Sequence, residues 1–234
     1  MTQKAASLTN FFALILILGS SCKNLSKEEL NSAYSDDKYK QGVQTIPGKL
    51  HCEYYDLGGE GIAYHDTDSV NNGSGNLNKG YDYLSAFRKG EAVDISYTKF
   101  HISSDNSKYN LVQPEEGQLY VGWTEPGEWT RYTVDVKATG IYQIGLMYTA
   151  NQDGKISITT TTGEESGPLQ IKSTYDANDT IAWRQWHHWN YTQELGEIEL
   201  KSGIQLLTLH TLENGRMNYD YLSFELKKTT SKNS

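Results

Sequence analysis

Between Ile46 and Leu226 apolar side chains recur at every second position. Thr130, Tyr132, Val134 and Val136 alternate with Trp129, Arg131, Thr133 and Asp135, and Tyr142, Ile144, Leu146 and Tyr148 form a second such row. Neighbouring side chains on a strand point to opposite faces, so this spacing predicts strands that rest one face on a core. Ile156-Ser157-Ile158, Ile198-Glu199-Leu200, the run from Ile204 to Leu212, and Leu222 to Leu226 predict more of them. Turn residues separate the strands at Thr139-Gly140, Asp153-Gly154, Lys201-Ser202-Gly203 and Asn214-Gly215. Glu125-Pro126-Gly127-Glu128 fits a type II turn, with Pro presetting φ at the second place and Gly taking positive φ at the third. Many short strands with no helical stretch between them indicate an all-β domain, a two-sheet β-sandwich. The stretches Val70 to Phe87 and Phe100 to Gln118 are long, polar and rich in Asn, Gly and Ser, and loops of that length usually carry function or disorder. No internal repeat is found.

The N-terminus follows a different pattern. Lys4 is the only charge before an apolar run from Phe11 to Leu18, which is followed by Gly19-Ser20-Ser21-Cys22. That run is too short to cross a bilayer, which takes about 20 residues, and reads instead as the core of a secretory signal. A cysteine directly after small residues resembles a bacterial lipoprotein signal, which makes Cys22 the lipidated first residue. Gly19 stands where that pattern has Leu, so ordinary signal cleavage leaving a free Cys22 stays open. The expected division is a signal over 1–21, a polar tether over 22–45, a single domain over 46–227 and a polar tail over 228–234. Lys27-Glu28-Glu29 resembles the acidic surface-export signals of some Bacteroidetes lipoproteins, and it also fits a solvated charge cluster. The expected location is the outer membrane or surface of a Gram-negative bacterium, with the membrane reached only through the lipid.

Composition narrows the function classes. The 234 residues include 29 acidic and 21 basic side chains, a net charge of -8. Losing Lys4 with the signal makes the mature chain one unit more negative. An acidic chain without a basic block is a poor partner for nucleic acid. Two cysteines are too few for a zinc-finger or disulfide scaffold, and Cys52, in an apolar-flanked strand, is expected as a small buried thiol.

No catalytic set emerges. Glu125 and Glu128 flank one turn and are the nearest candidates for a glycosidase pair, but carboxylates at turn ends are commonly solvated or cap backbone donors. There is no Gly-x-Ser-x-Gly elbow and no phosphate-binding Gly loop. His187 and His188 are neighbours that on a strand point to opposite faces, so they are expected as surface or groove residues and not as ligands of one ion. Binding is the better-supported class. The 17 Tyr and 5 Trp are a high aromatic share. Trp123, Trp129, Trp183, Trp186 and Trp189 lie near turns and a polar loop, where rings can stack on sugar faces. The C–H groups of a pyranose match the negative face of an indole.

These residues also carry a resemblance. Ile46-Pro47-Gly48-Lys49-Leu50-His51-Cys52-Glu53-Tyr54-Tyr55-Asp56, Gly61 to Asp68, Val121 to Tyr132, Trp183-Arg184-Gln185-Trp186, and Met217-Asn218-Tyr219-Asp220-Tyr221-Leu222 resemble, in order, the motifs of carbohydrate-binding module family 6. The resemblance implies a jelly roll whose main cleft lies in the loops at one edge. There Trp123 and Trp183 clasp a sugar ring, Asn218 bonds its hydroxyls, and His65 and Asp66 line the floor. Trp129 matches a residue that some members use in a second cleft, and it equally fits a half-buried strand residue. Trp186 is expected in the core, and Trp189 has no assigned counterpart.

The resemblance further implies a structural calcium held by Glu53 and Asp220. His51 stands where the family has a carboxylate, although calcium prefers oxygen. The implied protein is a monomeric, noncatalytic binder of polysaccharide or oligosaccharide, with neutral glycans favoured by the negative charge. A glycoside hydrolase or polysaccharide lyase on the same architecture, and a protein-docking or adhesion module, are the competing readings.

Overall fold

The computed structural model describes residues 32–38, 42–73, 82–99 and 105–229. The expected signal and Cys22 lie outside the described residues. Two sheets face each other. The first holds β1 (Gln44–Ile46), β3 (Tyr64–His65), β6 (Trp129–Val136), β8 (Gly154–Thr160), β9 (Leu169–Ile171) and β11 (Gly203–Glu213). Its order is β1-β6-β11-β8-β9, with β3 also pairing β6. The second holds β2 (Gly48–His51), β4 (Ile95–Tyr97), β5 (Leu119–Val121), β7 (Gly140–Ala150), β10 (Asn190–Leu200) and β12 (Met217–Thr229). Its order is β10-β7-β12-β5-β4, with β2 alongside β12. From β6 to β8 and from β9 to β12 the chain crosses between the sheets at each connection, as a jelly-roll sandwich requires. The all-β, two-sheet expectation is met.

The period-two rows form the core. Tyr132, Val134 and Val136 of β6 and Leu207 and Leu209 of β11 belong to the same buried cluster as Ile144 and Leu146 of β7 and Leu222 and Phe224 of β12. Each such side chain contributes about 1.5–3 kcal/mol when fully buried. Strand β7 departs from simple alternation, because nearly all of it is buried. The reason is a second apolar cluster of Tyr120, Met147 and Trp189. Cys52 is a buried free thiol, as expected.

Structure extends past the expected domain at both ends. The ordered domain starts before Ile46: β1 opens at Gln44, whose Oε1 accepts from His51 N at 2.8 Å and whose Nε2 donates to His51 O at 3.2 Å. Tyr34, expected in the tether, is buried, with its ring 5.6 Å from that of Tyr54 and 5.3 Å from that of Phe87. At the other end β12 runs to Thr229, two residues into the expected tail, because Lys228 and Thr229 still pair with Ile141 and Gly140. A short α-helical turn, α1 (Tyr83–Ala86), also interrupts the strand pattern. Asp82 caps it by accepting from Ser85 N at 2.9 Å.

Candidate functional site

Trp123 stands where the chain leaves β5. Its φ of 52° is in the left-handed region, which costs a non-glycine residue on the order of 1 kcal/mol, and its side chain is 40% exposed. The neighbouring residues hold it in this conformation. Gly122 N donates to Asp94 O at 2.9 Å, and Thr124 Oγ1 donates to Met217 O at 3.0 Å. A Cβ on Gly122 would meet Asn218 Oδ1 at 2.9 Å, so glycine lets this loop lie against Asn218.

Trp183 rides on a 3₁₀ turn, Ala182–Trp186, and is 53% exposed. The turn is braced by the buried Asp179, which accepts from Arg184 Nε at 2.6 Å, Arg184 Nη2 at 2.7 Å and Ile181 N at 3.0 Å, and lies 2.8 Å from His188 Nε2. These bonds, the Arg184 fork foremost, hold the Asp179 carboxyl well below the usual range. Gln185 Nε2 donates to Asp176 O at 2.8 Å and Asp179 O at 2.9 Å. Trp186 O accepts from Thr149 Oγ1 at 2.9 Å and Asn218 Nδ2 at 2.8 Å, which ties the turn to β7 and β12.

These pieces meet in one cavity of ≈ 570 Å³, lined by Tyr120, Trp123, Thr124, Glu125, Trp183, Trp186, His187, Arg216 and Asn218. The structure therefore brings together three of the sequence-predicted site residues, Trp123, Trp183 and Asn218. The volume suits a small ligand, and apolar walls with a few fixed polar groups are the usual composition of such a site. His187 Nδ1 lies 2.7 Å from Asp105 Oδ1, and Trp189 Nε1 donates to the same oxygen at 2.9 Å. Burial alone would raise the Asp105 carboxyl, but the bonds from His187 and Trp189 hold it below its ordinary value. Arg216, exposed and at φ 48°, is a second cavity residue in the left-handed region.

His65 and Asp66 are not on the floor of this cavity. They line a separate pocket of ≈ 20 Å³ with Glu128, Trp129 and Thr130, which has room for about one water and none for a sugar ring. Pairing explains the placement, since β3 sets His65 opposite Trp129 at the start of β6. His65 Nδ1 sits 2.5 Å from Glu60 Oε1, and Thr67 Oγ1 donates to Glu128 Oε1 at 2.7 Å. The Asp66 carboxyl is pushed up to about 7, mainly by burial and further by Glu128, Asp68 and Glu60. Trp129 is half-buried in its strand and lines this small pocket and not the large cavity.

Two further expectations are corrected. Trp186 is half-buried and lines the cavity; it is Trp189 that is sealed in an apolar cluster, its ring edge-on to Tyr120 at 5.2 Å. His188 is fully buried against Asp179, whereas His187 does face the groove. Asp105 and Asp179 were missed from sequence because each acts through partners distant in the chain or inside an irregular loop. Arg216 was overlooked beside Gly215, where the sequence shows only a turn.

A second cluster lies away from the cavity. His51, Glu53 and Asp220 bring one ligand atom each to within 4.8 Å of one another. Glu53 Oε2, Asp220 Oδ2 and His51 Nδ1 are buried and have no hydrogen-bond partner among the described residues. Burial pushes both carboxyls up, Asp220 strongly. Two adjacent desolvated carboxyl groups with orphaned oxygens are costly unless a cation joins them, so the donors fit a divalent ion.

A family model for the carbohydrate binding module (family 6) matches residues 91–226, more than half of the chain. The motifs from Ile46 to Asp68 lie before that match. Among solved structures, a module from Clostridium stercorarium in complex with cellobiose is similar at 12% identity with a TM-score of 0.47, covering 80% of this chain and 99% of its own. A β-1,3-glucan binding module of the same family from Bacillus halodurans is similar at 15% identity with a TM-score of 0.45, covering 78% of this chain and 98% of its own. Among curated proteins none matches.

Proposed function

The chain belongs to carbohydrate-binding module family 6, and from that premise we propose that it grips a polysaccharide or oligosaccharide between Trp123 and Trp183 without cleaving it. The carrying observation is that both indoles are exposed, by 40% and 53%, yet line the same cavity. Each ring offers a flat, negative face to sugar C–H groups, a contact worth on the order of 1 kcal/mol beyond the area it buries. Direction is given by the polar edge. Asn218 Nδ2 donates one hydrogen bond to Trp186 O, and Oδ1 is the atom that accepts a hydrogen bond from a sugar hydroxyl. His187, with Nδ1 committed to Asp105, presents Nε2.

Glu125 and Glu128 do not act as a catalytic pair in this reading. Glu125 lines the large cavity and accepts from Asn214 Nδ2 at 2.5 Å, whereas Glu128 lines the small pocket and caps Thr67. Incubating the protein with a panel of polysaccharides and measuring new reducing ends tests this: none is expected. Turnover that disappears in Glu128→Gln would establish the hydrolase reading instead.

In the same reading a lipid on Cys22 holds the module, as a monomer, at the cell envelope, where it captures glycan for separate enzymes. Loss of fatty-acid labelling in Cys22→Ser is the expected result. The divalent ion at His51, Glu53 and Asp220 is structural and joins β2 to β12, which pair directly through His51 and Tyr221.

A further inference from the structure

We propose that the cluster of His51, Glu53 and Asp220 is a mixed nitrogen–oxygen site for a zinc-class dication and not a calcium site. This rests on the reading of the cluster as a divalent-ion site and is independent of sugar binding in the cavity.

The argument begins with the imidazole. His51 Nδ1 is buried and has no hydrogen bond among the described residues, yet it faces Glu53 Oε1 at 3.6 Å. Elsewhere in the chain, histidine–carboxylate pairs close to hydrogen-bonding distance, 2.7 Å for His187–Asp105 and 2.8 Å for His188–Asp179. The His51–Glu53 gap is too long for a hydrogen bond. It is the spacing of two donors that converge on a third atom. Ring packing fixes the aim, with the centroid of His51 5.9 Å from that of Tyr54 and 6.1 Å from that of Tyr221.

The remaining donors agree. Glu53 and Asp220 are 3% and 0% exposed, and each keeps one oxygen in the cluster with no partner among the described residues. Gln118 Nε2 donates to Asp220 Oδ1, which orients the carboxylate from outside in the way outer partners of metal ligands do. The Lys49 ammonium is engaged next to the site, with Nζ over the Tyr221 ring, 4.0 Å from its centroid. Two carboxylates and a neutral imidazole balance a dication and leave little net charge buried. Calcium takes six to eight oxygens in an open cage, whereas imidazole is a preferred ligand of zinc and its neighbours in the transition series.

The test uses chelator-stripped full-length chain titrated separately with Zn²⁺, Co²⁺ and Ca²⁺, followed by calorimetry and thermal melts. One equivalent of Zn²⁺ should bind at least tenfold tighter than Ca²⁺ and raise Tm by several degrees. Co²⁺ should give visible d–d absorption that Zn²⁺ displaces. His51→Ala should remove the Zn²⁺ shift, and His51→Glu, which restores an all-oxygen set, should move the preference to Ca²⁺. If these variants fail to fold, the wild-type Zn²⁺/Ca²⁺ preference and the Co²⁺ spectrum decide alone. Equal or tighter Ca²⁺ binding, a Zn²⁺ response that survives His51→Ala, or no response to any ion would each overturn the proposal. A glycan-binding assay on the same samples reports on the cavity separately.

Discussion

The side-chain amide of Asn218 donates to the backbone carbonyl of Trp186 over 2.8 Å. That single bond links β12 to the turn that presents Trp183, so a residue expected to touch sugar also builds the wall beside it. Replacing Asn218 with Ala should therefore affect two measurements. Trp186 O keeps its bond from Thr149 Oγ1, so the loss costs about 0.5–1.5 kcal/mol and should lower Tm by a few degrees. Glycan affinity should fall about tenfold by calorimetry. Asn218→Asp, which keeps an acceptor but loses the donor, should show the stability loss as well. An unchanged melt for both variants would mean that the Trp186 tether is unimportant.

Asp179 tests whether the turn must be rigid. It does not line the cavity, but it bonds Arg184, His188 and Ile181 around the turn that carries Trp183. Asp179→Ala should weaken glycan binding severalfold and lower Tm, and Asp179→Asn should recover part of both. Full-strength binding by Asp179→Ala would show that the Trp183 turn keeps its shape without this brace.

A pH dependence follows from the acidic pocket. The Asp94 carboxyl is pushed up to about 7, chiefly by burial, with Asp66, Asp68 and Glu128 adding repulsion against the Asn72 N–H that it accepts from. Asp66 rises to about 7 for similar reasons. An unfolded chain releases these protons near pH 4. Between there and about pH 7 the folded state holds protons that the unfolded state has lost, so stability from these groups falls as pH rises through that window. Melts across pH 5 to 8 should show Tm falling with pH, and the slope should flatten in Asp94→Asn. Identical slopes in the two proteins would show that Asp94 ionises normally.

Reading the chain alone found the elements whose pattern is local. The alternation from Trp129 to Val136 is set by a strand with one face inward, and β6 buries Thr130, Tyr132, Val134 and Val136 as that pattern requires. Gly127 takes a φ of 99° in the turn anticipated at Glu125 to Glu128. Burial on both faces of β7 was hidden, because it depends on Trp189, which lies distant in the chain and packs with Met147 in a fold where β10 pairs β7. The two exposed indoles were found through motif resemblance. The misplacement of His65 and Asp66 shows where that guide fails: motif order does not say which strand of β6's sheet a short β3 will join. Similarly, nothing local marks Tyr34 as a core residue, since its partners Tyr54 and Phe87 lie well along the chain.

The most direct test of the central claim is calorimetric titration of wild type, Trp123→Ala and Trp183→Ala with an oligosaccharide chosen from a polysaccharide affinity-gel screen. Each substitution should reduce affinity at least about tenfold, roughly 1.4 kcal/mol, while the melt stays within a degree or two of wild type. Affinity that survives the loss of either ring, or a fold that collapses without it, would contradict a sugar grip between these two indoles.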